Sequence, residues 1–285
     1  MNLLRNLYRF VSNKYQNAFL DYPVKLSPRY GHESGAPAHP ELATLIAAHD
    51  ADYAKLVAQM AQYTEVFASF PKASANINPA MPAWNNGFLP GLDIIALFSL
   101  MALRKPAKYI EIGSGNSTRV VHHAKASLQL PTEIISIDPQ PRAEMDQLAD
   151  QIVRKPFEAV SVDLPELLGP GDVLFVDNSH RILPNSDAMV FFMEVLPRLK
   201  PGVLVQIHDV YLPYDYPQFM CDRLYNEQYG LAMYLLANPQ RYRPLFPAWY
   251  VSTRPELMAP LAPLFALPQM QDVERHGGSF WLEIG

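Results

Sequence analysis

The sequence predicts an α/β fold: a doubly wound, mostly parallel sheet with a terminal antiparallel strand pair, behind a helical N-terminal extension. Three observations predict it. From Tyr109 onward, short apolar runs recur: KYIEIGSG, EIISIDPQ, FEAVSVD, DVLFVDNSH and GVLVQIHDV. They are apolar nearly throughout instead of alternating, as parallel strands covered on both faces are. The segments between, STRVVHHAKAS, RAEMDQLADQIV and AMVFFMEVLPRL, carry apolar residues at helical spacing and suit right-handed crossovers. Each run also closes on Gly, Asp or His, so chemistry-bearing residues are delivered to one edge of the sheet.

Taken in order, the first stretch, MNLLRNLYRFVSNKYQNAFL, places Leu3, Leu4, Leu7 and Phe10 on one helical face, suited to a membrane surface or a partner. Arg5, Arg9 and Lys14 interrupt any signal-peptide core. HPELATLIAAHDADYAKLVAQMAQYTEVFASF reads as helices, with Leu42, Leu45 and Ile46 and then Leu56, Val57 and Met60 at spacings of three and four, ending at Pro71. ANINPAMPAWNNGFLPG is a loop by its Pro, Asn and Gly content, and a helix follows from about Leu92 to Leu103. Residues 1–82 therefore form the extension and loop, and 83–285 the sheet domain. In the tail, VYLPYDYP leads to a helix over DRLYNEQYGLAMYLLAN and two last strands, PAWYVST and GSFWLEI, paired antiparallel, with room for a short helix in PELMAPLAPLF.

Composition bounds the function. The chain has 285 residues, 49 % of them hydrophobic, enough to bury a large core. A formal net charge of -5 with no long basic run lacks the footprint of a nucleic-acid binder and favours a small-molecule partner. The most apolar run, Ile94 to Leu103, is far shorter than the ~20 residues of a spanning helix. A single cysteine, Cys221, precludes an intramolecular disulfide. A soluble cytoplasmic protein is expected, with the helical extension available for homo-oligomer contacts.

The turn after the first strand, Ile112-Gly113-Ser114-Gly115-Asn116-Ser117-Thr118, has the means to hold a ligand. Gly113 and Gly115 let backbone approach closely, while Ser117, Thr118 and the free amides of the next helix offer hydrogen bonds. The second strand ends at Asp138, where a carboxylate accepts both hydroxyls of a ribose. Together they point to a nucleoside-containing cofactor. Thr118 stands where dehydrogenases place a third glycine, and Glu111, two residues before Gly113, suits the amino group of an amino-acid-like cofactor. Both features favour S-adenosylmethionine over NAD.

EIGSGNST, IDPQ, FVDNSH and LKPGVLVQIHDV resemble the class I S-adenosylmethionine-dependent methyltransferases, whose fold is Rossmann-like, and more closely the group that includes antibiotic-tailoring sugar O-methyltransferases. The resemblance runs from about Ala83 to Gly285. It implies that Glu111, Gly113 and Gly115 line the methionine end of the cofactor, that Asp138 holds its ribose, and that Asp163 lies near its adenine. It further implies a divalent ion on an Asp after strand four and an acidic pair after strand five, with a histidine as base. Asp177, Asp209 and His180 match. His208 stands where the group has an acid, an exchange that weakens a Mg²⁺ site and shifts preference toward a transition metal. The expectation is either a metal on Asp177, His208 and Asp209 or a metal-free hydrogen-bonded network. Trp84-Asn85-Asn86-Gly87 and Tyr211, Tyr214 and Tyr216 either contact the acceptor or pack the periphery of the core; His122 and His123 read as surface residues.

The function expected is O-methylation of a sugar or small natural-product hydroxyl. The alternatives are a non-catalytic cofactor-binding protein and a metal-dependent oxygenase using His180, His208 and an aspartate.

Overall fold

The computed structural model describes residues 3–12, 17, 21–31, 36–141 and 146–285. Seven strands form one sheet: β1 Lys108–Ile112, β2 Glu133–Ile137, β3 Gln151–Val153, β4 Val173–Val176, β5 Leu204–Ile207, β6 Tyr242–Pro247 and β7 Phe280–Ile284. Their order is β3-β2-β1-β4-β5-β7-β6, parallel except that β7 runs antiparallel to both β5 and β6.

Helices precede and cover the sheet: α1 Leu3–Val11, α2 Pro40–Ala47, α3 Asp50–Met60, α4 Thr64–Ala68, α5 Gly91–Arg104 and α6 Asn116–Leu128. Leu42, Ile46, Val57, Met60 and Phe67 share one hydrophobic core with α5 and the strands. Helix α5 is buried nearly along its whole length, Asp93 included. No described helix is long and apolar enough to cross a membrane.

Register places the site. Ile112 pairs with Val176, and Val176 with Ile207, so β1, β4 and β5 end level. The ladder continues one step further: the amide of Asp177 bonds the carbonyl of Ile112 at 2.9 Å, and that of His208 bonds Val176 at 2.9 Å. On the other side of β1, Gly113 bonds Ile137 at 3.0 Å. The glycine turn and Asp138, Asp177 and His208 thus share the carboxyl edge beside the β1/β4 switch point, where ligands bind in open α/β sheets.

Three expectations need correction. The third strand is Gln151–Val153, not FEAVSVD; Pro156 starts a 3₁₀ turn at Phe157–Ala159 instead. This strand is a short edge with Gln151 and Ile152 exposed, so it lacks a buried apolar signature, and QIV reads as the end of a crossover helix. Of that expected helix, residues 142–145 lie outside the described residues and Asp146–Leu148 is a 3₁₀ turn. The sixth strand is Tyr242–Pro247, while Ala248–Ser252 of PAWYVST is helical. Pro244 and Pro247 read as breakers, but β6 is the outermost strand, where proline is tolerated.

Helix α7 Leu164–Leu167 precedes β4, and α8 Asp187–Val190, α9 Gln218–Cys221 and α10 Glu227–Ala237 follow it in chain order. Helix α10 starts at Glu227 and not at Asp222, because Leu224 takes a left-handed φ of 60° and breaks the run.

Candidate active site

Around the first turn, seven of the expected cofactor residues come together. Glu111 is fully buried, and its two oxygens accept hydrogen bonds from Thr118 Oγ1 at 2.6 Å and from Ser117 Oγ at 3.0 Å and Tyr109 Oη at 3.3 Å. Burial raises its pKa to about 7 despite those hydroxyls, which oppose the rise. Thr118 Oγ1 in turn accepts the Gly115 amide at 3.1 Å. Asp138 closes the turn from the other side: one oxygen accepts the amide and hydroxyl of Ser114 at 2.8 and 3.0 Å, the other the Gln140 amide at 2.8 Å.

The two glycines do different work. Gly113 has φ of 84°, and a Cβ there would lie 2.0 Å from the Asp177 carbonyl oxygen. A Cβ on Gly115 meets nothing within 4 Å, because Gly115 opens onto a cleft of about 470 Å³ lined also by Asn76, Ile77, Asn86, Phe88, Asn116 and Arg119. Asn86 joins the far wall to the turn by accepting from Asn116 Nδ2 at 3.0 Å. Trp84 of the same loop is core.

Asp163 stands apart. Its carboxylate is 45 % exposed and bonds Arg198 at 2.6 Å, and it makes no side-chain cap to α7.

At the β4/β5 edge the other expected residues converge. His180 Nε2 lies 3.4 Å from Asp177 Oδ1 and 3.5 Å from Asp209 Oδ2. His208 Nδ1 lies 3.4 Å from Asp209 Oδ1 and 3.8 Å from Asp177 Oδ1. Two imidazoles therefore bridge two carboxylates. Both His180 and Asp209 take left-handed φ values, 62° and 55°, which non-glycine residues adopt at a cost of about 1–3 kcal/mol and which cluster at functional sites.

Two further acids, unforeseen in the sequence reading, complete the network. Glu227, at the start of α10 and 1 % exposed, bonds His180 Nδ1. Asp93, in the first turn of α5, accepts the Gly278 and Ser279 amides at 2.6 and 3.0 Å and lies 3.6 Å from His208 Nε2. At that distance the Nε2 contact is an ion pair too long for a hydrogen bond. An acid inside the apolar run of α5 is a readable signal of a special role; Glu227 has none, since acids are ordinary at helix starts.

Charge follows from this packing. Burial disfavours the cationic imidazole at His180, but Glu227, Asp177 and Asp209 outweigh it and hold the pKa well above the usual histidine value. At His208 burial is likewise outweighed, by Asp209, Asp93 and Asp177, and the pKa rises to about 9. Tyr225 stacks on the His180 ring, centroids 4.5 Å apart. Tyr211 and Tyr216 pack with Met220 and Cys221 in a satellite cluster. His122 and His123 are half-buried rather than on the surface, His122 Nδ1 lying 3.1 Å from the Leu148 carbonyl oxygen.

The expected metal ligands Asp177, His208 and Asp209 are neighbours, yet among the described residues no group of three His, Cys, Asp or Glu side chains is arranged to hold a metal ion. His208 turns both nitrogens toward carboxylates, and His180 Nε2 stands between Asp177 and Asp209. The donor set as arranged does not fit a divalent cation.

The family model described as "Methyltransferase domain" matches residues 110–210. The solved structure of an SAH-bound Podospora anserina methyltransferase, PaMTH1, is similar at 15 % identity and a TM-score of 0.40, covering 87 % of this chain and 97 % of that one. Coclaurine N-methyltransferase bound to N-methylheliamine and SAH is similar at 10 % identity and 0.37, covering 87 % and 94 %. No curated protein sequence matches. The matched stretch begins in β1 and ends one residue after Asp209, so the part of the chain that is similar to methyltransferase domains encloses the glycine turn, Asp138 and the paired imidazoles.

Proposed function

We propose that this protein is an O-methyltransferase acting on a hydroxyl of a sugar or small natural product, with His180 as the base. One observation carries the reading: His180 Nε2 sits between Asp177 and Asp209 on the same sheet edge as the glycine turn. The domain proper spans 83–285 in this reading, with 1–82 as a helical extension.

The residues present fit the cofactor. Gly115 opens onto the cleft, and a Cβ-free approach is available there. Glu111, Gly113, Ser114, Gly115, Ser117 and Thr118 would hold its methionine end and Asp138 its ribose, with Asp163 assigned to the adenine end. When bound, S-adenosylmethionine supplies an electrophilic methyl group on a sulfonium sulfur. The protein has two tasks, to align the acceptor oxygen and to take its proton. Asp177 and Asp209 accept hydrogen bonds from hydroxyls of the acceptor and orient it. His180, in its neutral form, receives the proton at Nε2.

Titration calorimetry with S-adenosylhomocysteine tests the cofactor site, and transfer of labelled methyl groups to a panel of sugars and phenols tests the acceptor class. Binding by the wild type that weakens in Asp138→Ala is the expected result. No binding by the wild type refutes the reading, and methylation of amines but not hydroxyls in the panel refutes its O-specific part.

A further inference from the structure

We infer that Glu227 is a positioning residue for His180, fixing the imidazole so that Nε2 faces the methyl acceptor; this rests on the methyltransferase reading of the site. The bonding of the carboxylate is the first ground. Other buried acids of this protein have their burial matched by several donors: Asp93 accepts the Gly278 and Ser279 amides, Asp172 the Lys108 and Gly169 amides, and Glu111 the hydroxyls of Thr118, Ser117 and Tyr109. Glu227 has a single side-chain hydrogen bond among the described residues, to His180 Nδ1, and its second oxygen is buried without a hydrogen-bond partner. Burying a carboxylate so poorly satisfied costs stability. The fold gains nothing from it that an apolar residue would not supply better, whereas the imidazole gains a fixed orientation.

The second ground is that the surrounding chain is built to bring the two together. The Asn226 amide bonds the His180 carbonyl at 3.0 Å, and Asn226 Oδ1 accepts the Ile182 amide at 2.7 Å. Asn178 Oδ1 accepts the His180 amide at 2.7 Å and supports its left-handed backbone. Tyr225, one residue before Asn226, covers the ring face. The ring is thus held by its backbone, its face and its Nδ1, and only Nε2 is turned toward Asp177 and Asp209. A carboxylate at Nδ1 keeps a proton on that nitrogen, so in the neutral imidazole the lone pair is on Nε2.

Two-bond ¹H–¹⁵N correlation spectra of the full chain, with His180 assigned through His180→Asn, read which ring nitrogen carries the proton and how strongly it is bonded. The wild type is expected to show a strongly deshielded Nδ1 proton on His180. Glu227→Gln, which keeps the shape and removes the charge, should lose that deshielding and mix the tautomers while S-adenosylhomocysteine affinity stays the same. Glu227→Asp, with the charge withdrawn by one methylene, should recover part of it. With an acceptor from the panel above, kcat in Glu227→Gln should fall about 10- to 100-fold with KM unchanged, less than loss of a base costs.

A wild-type His180 without a deshielded Nδ1 proton overturns the proposal, whether or not any variant folds. So does a Glu227→Gln spectrum identical to the wild type, or a fall in cofactor affinity in step with thermal stability, which is the mark of a structural acid. Failure of the wild type to bind S-adenosylhomocysteine, with the His180 signal as expected, strikes the methyltransferase reading and not the pairing.

Discussion

Asp138 grips Ser114 twice through one oxygen, by the backbone amide at 2.8 Å and the hydroxyl at 3.0 Å. The end of β2 thereby sets the shape of the turn after β1, and the carboxylate expected to hold a ribose also organises the loop expected to hold the methionine end. Asp138→Asn should damage both roles. An amide nitrogen in place of the bonded oxygen faces the Ser114 N–H donor to donor, at a cost of about 1–2 kcal/mol. Denaturant unfolding should show that loss, and calorimetry should show S-adenosylhomocysteine affinity reduced about tenfold or more.

The glycines of the turn should separate packing from ligand access. In Gly113→Ala the new methyl meets the Asp177 carbonyl, and φ of 84° is unfavourable for alanine. A loss of about 2–4 kcal/mol in unfolding free energy is expected, with cofactor affinity falling because the turn is pushed away from the Asp177 carbonyl. Gly115→Ala has free space for its methyl, so stability should change by only about 1 kcal/mol, the usual scale for an N-cap exchange. Its methyl projects into the cleft, so affinity should still fall. Measuring unfolding and binding on both variants checks the contrast.

This edge of the sheet was legible in the sequence because strand ends and chemistry coincide there. EIGSG, IDPQ, LFVDNSH and IHDV each stop an apolar run with a residue of the candidate site, so parallel register alone aligns Gly113, Asp138, Asp177 and His208. Glu227 was not legible, since it is brought to His180 by the packing of α10 across more than forty residues of chain, and nothing local marks it. Asp93 left a trace as an acid in an apolar helix, but its partners Gly278, Ser279 and His208 come from the approach to β7 and the residue just after β5. The edge strands β3 and β6 were misplaced for a related reason. An edge strand has one exposed side and tolerates polar residues and proline, so its pattern departs from that of the buried strands.

His208 gives a pH dependence with a definite sign. Its pKa is about 9 when folded and about 6.5 when unfolded, so the folded state binds more protons between those values. The stabilisation is fully present below pH ~6.5 and is lost as pH rises through 9. His180, also raised, acts in the same direction. Thermal unfolding of the wild type from pH 6 to 10 should show a falling midpoint, and His208→Gln should flatten the fall by an amount on the order of 2–3 kcal/mol. A parallel decline in both proteins would place the titrating group elsewhere.

As the proposed base, His180 has to lose the proton that its neighbours hold before it acts, and this predicts the activity profile. Turnover should rise with pH, with a midpoint above the ordinary histidine range, since only the neutral ring accepts a proton. Replacing Asp209 by Asn removes one of the charges holding that proton and should move the rising limb to lower pH. The kcat profiles of wild type and Asp209→Asn, taken over the same buffers, check the direction of the shift.

Glu111 supplies the last test, because its burial works against the fold at the pH where it is charged. A carboxyl raised from 4.5 to about 7 keeps its proton longer when folded, so stability falls as pH climbs from 4.5 to 7 and stays lower above. Glutamine removes that penalty: the hydroxyls of Thr118, Ser117 and Tyr109 can rotate to donate to, or in part accept from, an amide. Glu111→Gln should therefore melt higher than the wild type at pH 8 by up to about 3 kcal/mol of unfolding free energy, and no higher at pH 4.5. If the negative charge is retained for the amino group of the cofactor, the same variant should bind S-adenosylhomocysteine more weakly at pH 8, the pattern of stability yielded to function. Unchanged binding together with the gain in stability would leave Glu111 as a support of the turn and take it out of the ligand set.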